Sequence, residues 1–143
     1  MPNPGRQPAD RFTRTRAAHR DETAEDYAEA VAQLTESVGH ARVGELARMM
    51  GVSHVTVSRI VTRLRDLGLL DTGARCKGGG RITLTPAGKR LAARSRQRHD
   101  TVLRFLLSLG VPAHHAEIDA EGIEHHVSAA TIRAMERVLR RSS

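Results

Sequence analysis

A short segment near the carboxyl end has the residue types and the spacing of a metal site. Glu121, Glu124 and His125 follow one another at i, i+3 and i+4, which places their side chains on one face of a helix. Two carboxylates and an imidazole are suitable ligands for a divalent cation. A solvated acidic helix face is the alternative interpretation, and the spacing alone leaves both open.

Three residues elsewhere in the chain have the chemistry to extend such a site. Asp26 and Glu29 repeat the i, i+3 spacing within residues 21–36, which hold six acids and no Lys or Arg. Asp26 has a second explanation, because Thr23 and Asp26 fit a capping box at the start of a helix. His99 is an isolated histidine in a basic stretch, and such a residue is more often on the surface than bound to a metal.

A second group of residues has the chemistry to contact DNA. Polar and basic side chains alternate with apolar ones over residues 53–67, which predicts an amphipathic helix that buries one face. The other face could reach base edges and phosphates in a major groove, or it could be an ordinary solvated basic face. The candidate DNA-binding residues are Ser53, His54, Thr56, Ser58, Arg59, Thr62, Arg63 and Arg65, and the apolar residues expected to dock the helix are Val55, Val57, Ile60, Val61 and Leu64.

The segments around this helix predict a winged helix-turn-helix. A short helix over residues 43–50 precedes a glycine turn and the N-cap Ser53, which is the order found in DNA-binding helix pairs. Two short strands, at residues 69–70 and 82–85, would flank a basic loop and form a β-hairpin wing beside the DNA backbone. In this context the basic face is better explained by DNA binding than by solvation.

The remaining segments predict a second, all-α lobe, so the fold class is mainly α with a small β wing. A first helix covers residues 23–38, and Thr85 caps a long helix that Gly110 ends. Helices over 113–124 and 128–139 complete a lobe too small to bury much core alone, so dimerisation through it is expected. The predicted domains are a disordered basic arm over 1–20, a winged helix-turn-helix over 21–86 and a helical metal-binding and dimerisation domain over 87–143.

Net charge and composition restrict the classes of molecule that the protein could bind. The chain has 23 Lys and Arg against 16 Asp and Glu, a formal net charge of +7, which favours a polyanion. Twelve Lys or Arg but only three Asp lie between Arg59 and Arg104, so this part is the expected phosphate-binding surface. With no Trp, one Tyr and two Phe, stacking on unpaired bases is nearly excluded. Double-stranded DNA is therefore the expected nucleic acid.

Other features concern compartment and catalysis. The single cysteine, Cys76, permits no internal disulfide, which is typical of a reducing interior. No apolar run reaches the roughly 18 residues of a membrane span, so we expect a cytoplasmic protein with no membrane partner. Because no Ser-His-Asp order, phosphate-binding glycine loop or HExxH motif stands out, we expect neither an enzyme nor a small-molecule substrate.

The order of these elements, together with three short segments, resembles a known family. The segments are EDYAEAV at residues 25–31, RHD at 98–100 and DAEGIEHHVS at 119–128. They resemble the diphtheria-toxin-repressor-like metalloregulators, and most of all their manganese-responsive, MntR-type branch. The resemblance covers residues 21–139.

This resemblance implies a homodimeric repressor that binds operator DNA when Mn2+ occupies a site between its two lobes. Such a protein would control manganese transport and homeostasis genes. The implied site holds two Mn2+ ions per subunit, with Glu29 and Glu124 as bridging ligands. Its six implied ligands are Asp26, Glu29, His99, Glu121, Glu124 and His125.

The ligand types bear on the choice of metal. In the iron-responsive branch the positions of Asp26 and Glu121 are typically Met and Cys, so two hard carboxylates favour manganese. Fe2+, Co2+ and Zn2+ are alternative occupants in a regulator of the same build. The alternatives from other classes are a metal-dependent hydrolase, which would need a substrate cleft, and a nucleoid-type DNA binder that ignores metal.

Overall fold

A computed structural model describes residues 8–73 and 80–141 of the chain. The chain divides into two compact units, which we call the winged unit (Ala24–Arg96) and the helical unit (Met1–Thr23 with Gln97–Ser143). The elements in chain order are α1 (Pro8–Val38), α2 (Val43–Met50), α3 (His54–Asp66), β1 (Leu70–Thr72), β2 (Ile82–Leu84), α4 (Pro86–Ser108), α5 (Ala113–Ile123) and α6 (Ala129–Arg141).

The winged unit is built on a helix-turn-helix. Helices α2 and α3 are joined through Gly51, whose φ of 66° lies in the left-handed region that favours glycine. The Ser53 hydroxyl accepts a hydrogen bond from the Thr56 N–H at 3.2 Å and so caps α3. The predicted helix over residues 43–50 and the predicted N-cap are both confirmed.

The wing is a two-stranded antiparallel hairpin, as predicted. Leu70 of β1 pairs with Leu84 of β2. Ala41, just before α2, also pairs with Ile82, and its carbonyl oxygen accepts the Ile82 N–H at 2.8 Å. This bridge, which the sequence pattern does not indicate, ties the wing to the helix-turn-helix. Most of the predicted basic loop, residues 74–79, lies outside the described residues.

A hydrophobic core fixes the orientation of α3. This helix contributes Val57, Val61 and Leu64 to the core, and α1 contributes Tyr27 and Val31, all at most 4% exposed. Full burial of one such side chain contributes about 1.5–3 kcal/mol. The contacts are therefore strong enough to hold the opposite, polar face of α3 outward.

The base of the wing packs closely on the start of α4. The Thr85 hydroxyl accepts the Gly88 N–H at 3.1 Å and donates to the Gly68 carbonyl at 2.6 Å, which confirms Thr85 as the cap. A Cβ on Gly88 would stand 2.0 Å from the Leu69 carbonyl oxygen, far inside van der Waals contact. Glycine is therefore required where α4 meets the wing.

Helix α1 differs from its prediction at the amino end. It starts at Pro8, so the disordered arm predicted over residues 1–20 is wrong from that residue onward, and residues 1–7 lie outside the described part of the chain. The Thr23 hydroxyl donates to the His19 carbonyl at 2.8 Å inside the helix instead of capping it. Alanine and arginine are strong helix formers, and they make up seven of the fifteen residues 8–22, which explains the extension.

The boundary between the two compact units lies within α4, after Arg96, whereas the sequence analysis places the domain boundary after residue 86. Leu91, on the first turns of α4, packs against the winged core. The helix therefore belongs to the winged unit for about half its length before it enters the helical unit.

The helical unit buries few apolar side chains. Val102, Ala116 and Ala120 are fully buried, whereas no residue of α6 is buried. Helix α5 ends at Ile123, one residue earlier than predicted, so Glu124 lies in the turn that leads to α6. Among the described residues, no helix combines the length and apolarity that crossing a membrane requires.

Candidate metal centre and nucleic-acid interface

Four of the six predicted metal ligands come together in the helical unit. His99 lies on α4, Glu121 in the last turn of α5, and Glu124 and His125 in the following turn. The Nδ1 atom of His99 is 3.0 Å from Glu124 Oε2 and 3.8 Å from Glu121 Oε1. The Nε2 atom of His125 is 3.3 Å from Glu124 Oε1. The Glu124 carboxylate therefore stands between two imidazoles.

The side chains of this cluster differ widely in their exposure to solvent. The side chain of Glu124 is 5% exposed and that of His125 is 3% exposed, while those of His99 and Glu121 are 23% and 72% exposed. A carboxylate removed from water is costly unless a positive charge accompanies it. A neutral imidazole has one N–H donor and one acceptor nitrogen, so the contact of 3.0 Å is satisfied either by an N–H···O hydrogen bond or by a cation that both groups bind.

The donor atoms fit a divalent metal ion. One ligand atom each of His99, Glu121 and Glu124 lies within 4.8 Å of the other two. Ligands on opposite sides of one ion are about 4–5 Å apart, because metal–ligand bonds to nitrogen and oxygen are about 2.0–2.5 Å long. Two carboxylates with an imidazole form a mostly hard donor set, which suits an ion such as Mn2+.

The end of α5 explains how the carboxylates are aligned. Glu124 has helical backbone angles, φ −55° and ψ −36°, and its N–H donates to the Ala120 carbonyl. The i, i+3 relation between Glu121 and Glu124 is therefore kept, although the helix ends at Ile123. His125 reaches the Glu124 carboxylate from the turn and not from the helical face that the spacing predicts.

The other two predicted ligands, Asp26 and Glu29, belong to the winged unit. They lie one turn apart on α1 and are both half-buried. Because Thr23 is inside α1 and caps nothing, capping does not explain Asp26. Glu29 lines a groove of about 330 Å³ between α1 and α4, where Arg96 is 3.8 Å from Glu36. Their role as metal ligands stays a prediction.

Tyr27, the neighbour of Asp26, is a core residue and not a ligand. Its side chain is buried with the apolar residues of α1 and α3. Burial raises the pKa of Tyr27 above its usual value, and the negative charge of Asp26 raises that pKa further. The hydroxyl therefore remains protonated at neutral pH, whereas a phenol that binds a metal ion would have to lose its proton.

The predicted DNA-contacting face of α3 is exposed, with one exception. His54, Ser58 and Arg59 are open to solvent, and Arg63 is half-buried. Three of the predicted hydroxyl groups already make local hydrogen bonds, since the Thr56 hydroxyl shares one with the Ser53 hydroxyl at 2.9 Å. Ser53 caps α3, and the Thr62 hydroxyl donates to the Ser58 carbonyl at 2.8 Å. Thr56 and Arg65 are also exposed.

The structure exposes further residues on and beside α3 that the sequence reasoning did not consider for DNA binding. Val55, predicted to be buried, is 68% exposed, because the first turn of α3 projects beyond the core. Arg42 and Arg48 line a groove of about 520 Å³ together with His54 and Ser58. The sequence does contain a signal for these two arginines, because they lie on or beside the first helix of the pair. In such motifs that helix crosses the DNA backbone.

Family models match both halves of the chain. The N-terminal DNA-binding domain of iron-dependent repressors matches residues 21–75, and the metal-binding and dimerisation domain of the same repressors matches residues 85–142. The transcriptional regulator MntR of Salmonella typhimurium is 44% identical over 123 residues, which is 86% of this chain and 76% of that protein. The chain belongs to the iron-dependent repressor family. Within it, the chain is of the MntR type, which confirms the resemblance inferred from its motifs.

Other members of the iron-dependent repressor family agree in sequence and in structure. The MntR regulator of Lysinibacillus sphaericus is 36% identical over 73% of this chain and 72% of its own length. A solved manganese-dependent transcriptional repressor in complex with manganese is 30% identical, with a TM-score of 0.70 over 81% of this chain. The IdeR protein of T. acidophilum is also 30% identical, with a TM-score of 0.65 over 80% of this chain. The chain spans 52% and 53% of these two solved proteins, respectively.

The geometry ranks the ligands of the helical unit. Glu124→Gln should weaken Mn2+ binding by more than about 10-fold, because even residues that only support metal ligands contribute about 10–100-fold in affinity. Glu121→Gln should have a smaller effect, since this side chain is mostly exposed. Glu117→Gln is the matched control, an exposed carboxylate one turn earlier on α5. Isothermal titration with Mn2+ measures all three, and equal affinities for the Glu124 and Glu117 variants would contradict the ranking.

Proposed function

We propose that this chain is a manganese-dependent, DNA-binding transcriptional repressor of manganese transport and homeostasis genes. The observation that carries the proposal is the buried Glu124 carboxylate between His99 and His125, on a chain that also presents a winged helix-turn-helix. The names of its relatives support the assignment, since they include MntR regulators and a manganese-dependent repressor. The proposed role is regulatory and cytoplasmic, with no catalytic step and no small-molecule substrate.

The proposed metal site has two ions per subunit. His99, Glu121, Glu124 and His125 supply ligands from the helical unit, and Asp26 and Glu29 add carboxylates from the winged unit. Bound metal supplies positive charge that compensates these carboxylates. Hard oxygen donors, and the coordination geometry that they impose, select Mn2+ over Fe2+, Co2+ and Zn2+, because manganese is at the weak end of the divalent affinity series.

Regulation then follows from linkage between metal and DNA. Ligands drawn from both units would make metal binding and the arrangement of the units depend on each other. A bound ion would remove conformational freedom that DNA binding must otherwise remove, which raises DNA affinity. Without metal, the carboxylates of Asp26 and Glu29, one turn apart on α1, would be loosely held and would repel each other.

The proposed DNA complex uses α3 in the major groove of a two-fold operator. His54, Ser58 and Arg59 would contact base edges, and the Val55 methyl groups suit the apolar thymine methyl. Arg42 and Arg48 would contact backbone phosphates. A homodimer provides the two copies, and its interface would cover exposed apolar residues of the helical unit: Leu107, Leu109, Ile118 and Val138.

Metal activation of DNA binding tests the proposal. Duplexes enriched from a random pool in the presence of Mn2+ provide the DNA, and fluorescence anisotropy measures the affinity. Mn2+ should raise the affinity of the wild type, and His99→Ala should require a higher Mn2+ concentration for the same effect. His115→Ala removes an exposed histidine of α5 and should behave as the wild type. An affinity that is independent of Mn2+ would exclude a manganese-dependent repressor.

Two substitutions separate the proposed phosphate contacts from the base contacts. Arg48→Met should reduce the slope of log affinity against log salt by about 0.9 per subunit and leave sequence preference unchanged. Val55→Ala should keep the salt slope and weaken the preference for thymine at one position per half-site, because the smaller side chain makes less contact with the thymine methyl group. The same anisotropy assay on single-base variants measures both effects, and an unchanged slope for Arg48→Met would contradict the phosphate contact.

A further inference from the structure

Arg98 connects two parts of the helical unit. It precedes His99 on α4 and is half-buried. Its Nη2 atom donates to the carbonyl oxygen of Glu124 and, at 3.1 Å, to that of Val127. Both carbonyls belong to the turn between α5 and α6, which carries Glu124 and His125.

Elementary helix chemistry explains why this contact is stabilising. The last carbonyl groups of a helix have no partner within the helix, and the C-terminal end of a helix carries partial negative charge. A guanidinium donates hydrogen bonds to these carbonyl groups and carries the positive charge that the helix end favours. One Nη atom carries two hydrogens, so Arg98 can bond to both carbonyls at once and fix the backbone between them.

We propose that Arg98 is a positioning residue for the metal centre. It holds the turn after α5 so that the Glu124 carboxylate and the His125 imidazole stand beside His99. Because Arg98 and His99 are adjacent on α4, one short segment places a ligand and also anchors the backbone that bears two others. This inference rests on the proposed metal-binding function and assigns a role to a residue outside its ligand set.

The charge of Arg98 and its hydrogen bonds have opposite effects on the affinity for metal. A fixed positive charge near the site repels a divalent cation, so its removal would tighten Mn2+ binding if charge were the main effect. Loss of the two hydrogen bonds loosens the turn and weakens binding if positioning is the main effect. The direction of the change therefore identifies the role.

The experiment uses the full chain and Mn2+ alone as the probe. Arg98→Met removes the donors and the charge, and Arg98→Lys keeps the charge on a shorter side chain that reaches the two carbonyls less well. Arg94→Met removes the same charge from an exposed residue one turn earlier on α4. Titration calorimetry and the electron paramagnetic resonance signal of free Mn2+ give the affinity. We expect about a 10-fold loss for Arg98→Met, a smaller loss for Arg98→Lys and no loss for Arg94→Met.

Hydrogen exchange on the metal-free protein provides a second readout. The His126 N–H donates to the Ile123 carbonyl at 3.0 Å within the turn, and it should exchange faster in Arg98→Met. Exchange in α3, such as that of the Val61 amide, should not change. Uniformly faster exchange would mean that Arg98 acts through general stability and would overturn the positioning role.

The remaining outcomes separate this inference from the proposed function. If the wild type binds Mn2+ and Arg98→Met binds it equally well or more tightly, the positioning role is wrong and the metal site stands. If the wild type does not bind Mn2+, the proposed function and the positioning role both fail. Should Arg98→Met not fold, Arg98→Lys decides, and wild-type affinity in that variant would overturn the proposal.

Discussion

A buried carboxylate needs a positive partner. In this protein the constraint applies to Glu124, and the candidate metal site is built around it. Its two oxygens face His99 and His125 at 3.0 and 3.3 Å, in surroundings that exclude most water. A proton can satisfy one such contact, and a divalent ion satisfies the carboxylate and the neighbouring donors together. We therefore propose that this site responds to metal, because a bound ion would supply the positive charge that a buried carboxylate needs.

The two units are stabilised in different ways, and this difference suits a regulator. The winged unit has a continuous apolar core from α1, α2, α3 and the wing, which keeps the polar face of α3 in place without metal. The helical unit fully buries few apolar residues beyond Val102, Ala116 and Ala120, and no residue of α6 is fully buried. Polar contacts such as those of Arg98 therefore contribute a larger share of its order.

Local signals in the sequence predict most of the fold and part of the site. Helix α2, the Ser53 and Thr85 caps and the wing strands follow from glycine turns, capping residues and apolar periodicity. The start of α1 does not, because the capping signal at Thr23 competes with strong helix formers before it. Periodicity assigns Val55 to the core but cannot show that the core ends before the first turn of α3. The Ala41 bridge, the Arg42 and Arg48 groove and the Arg98 contact depend on tertiary packing, which spacing along one element does not reveal.

Anomalous diffraction from crystals grown with Mn2+ tests the central claim most directly, because it locates manganese without reference to activity or to DNA. The account predicts an anomalous peak at the manganese absorption edge within bonding distance of the Glu124 carboxylate and of His99, with Glu121 contributing an oxygen. Manganese that binds elsewhere, with Glu124 and His99 still in direct contact with each other and with no ion, would contradict it.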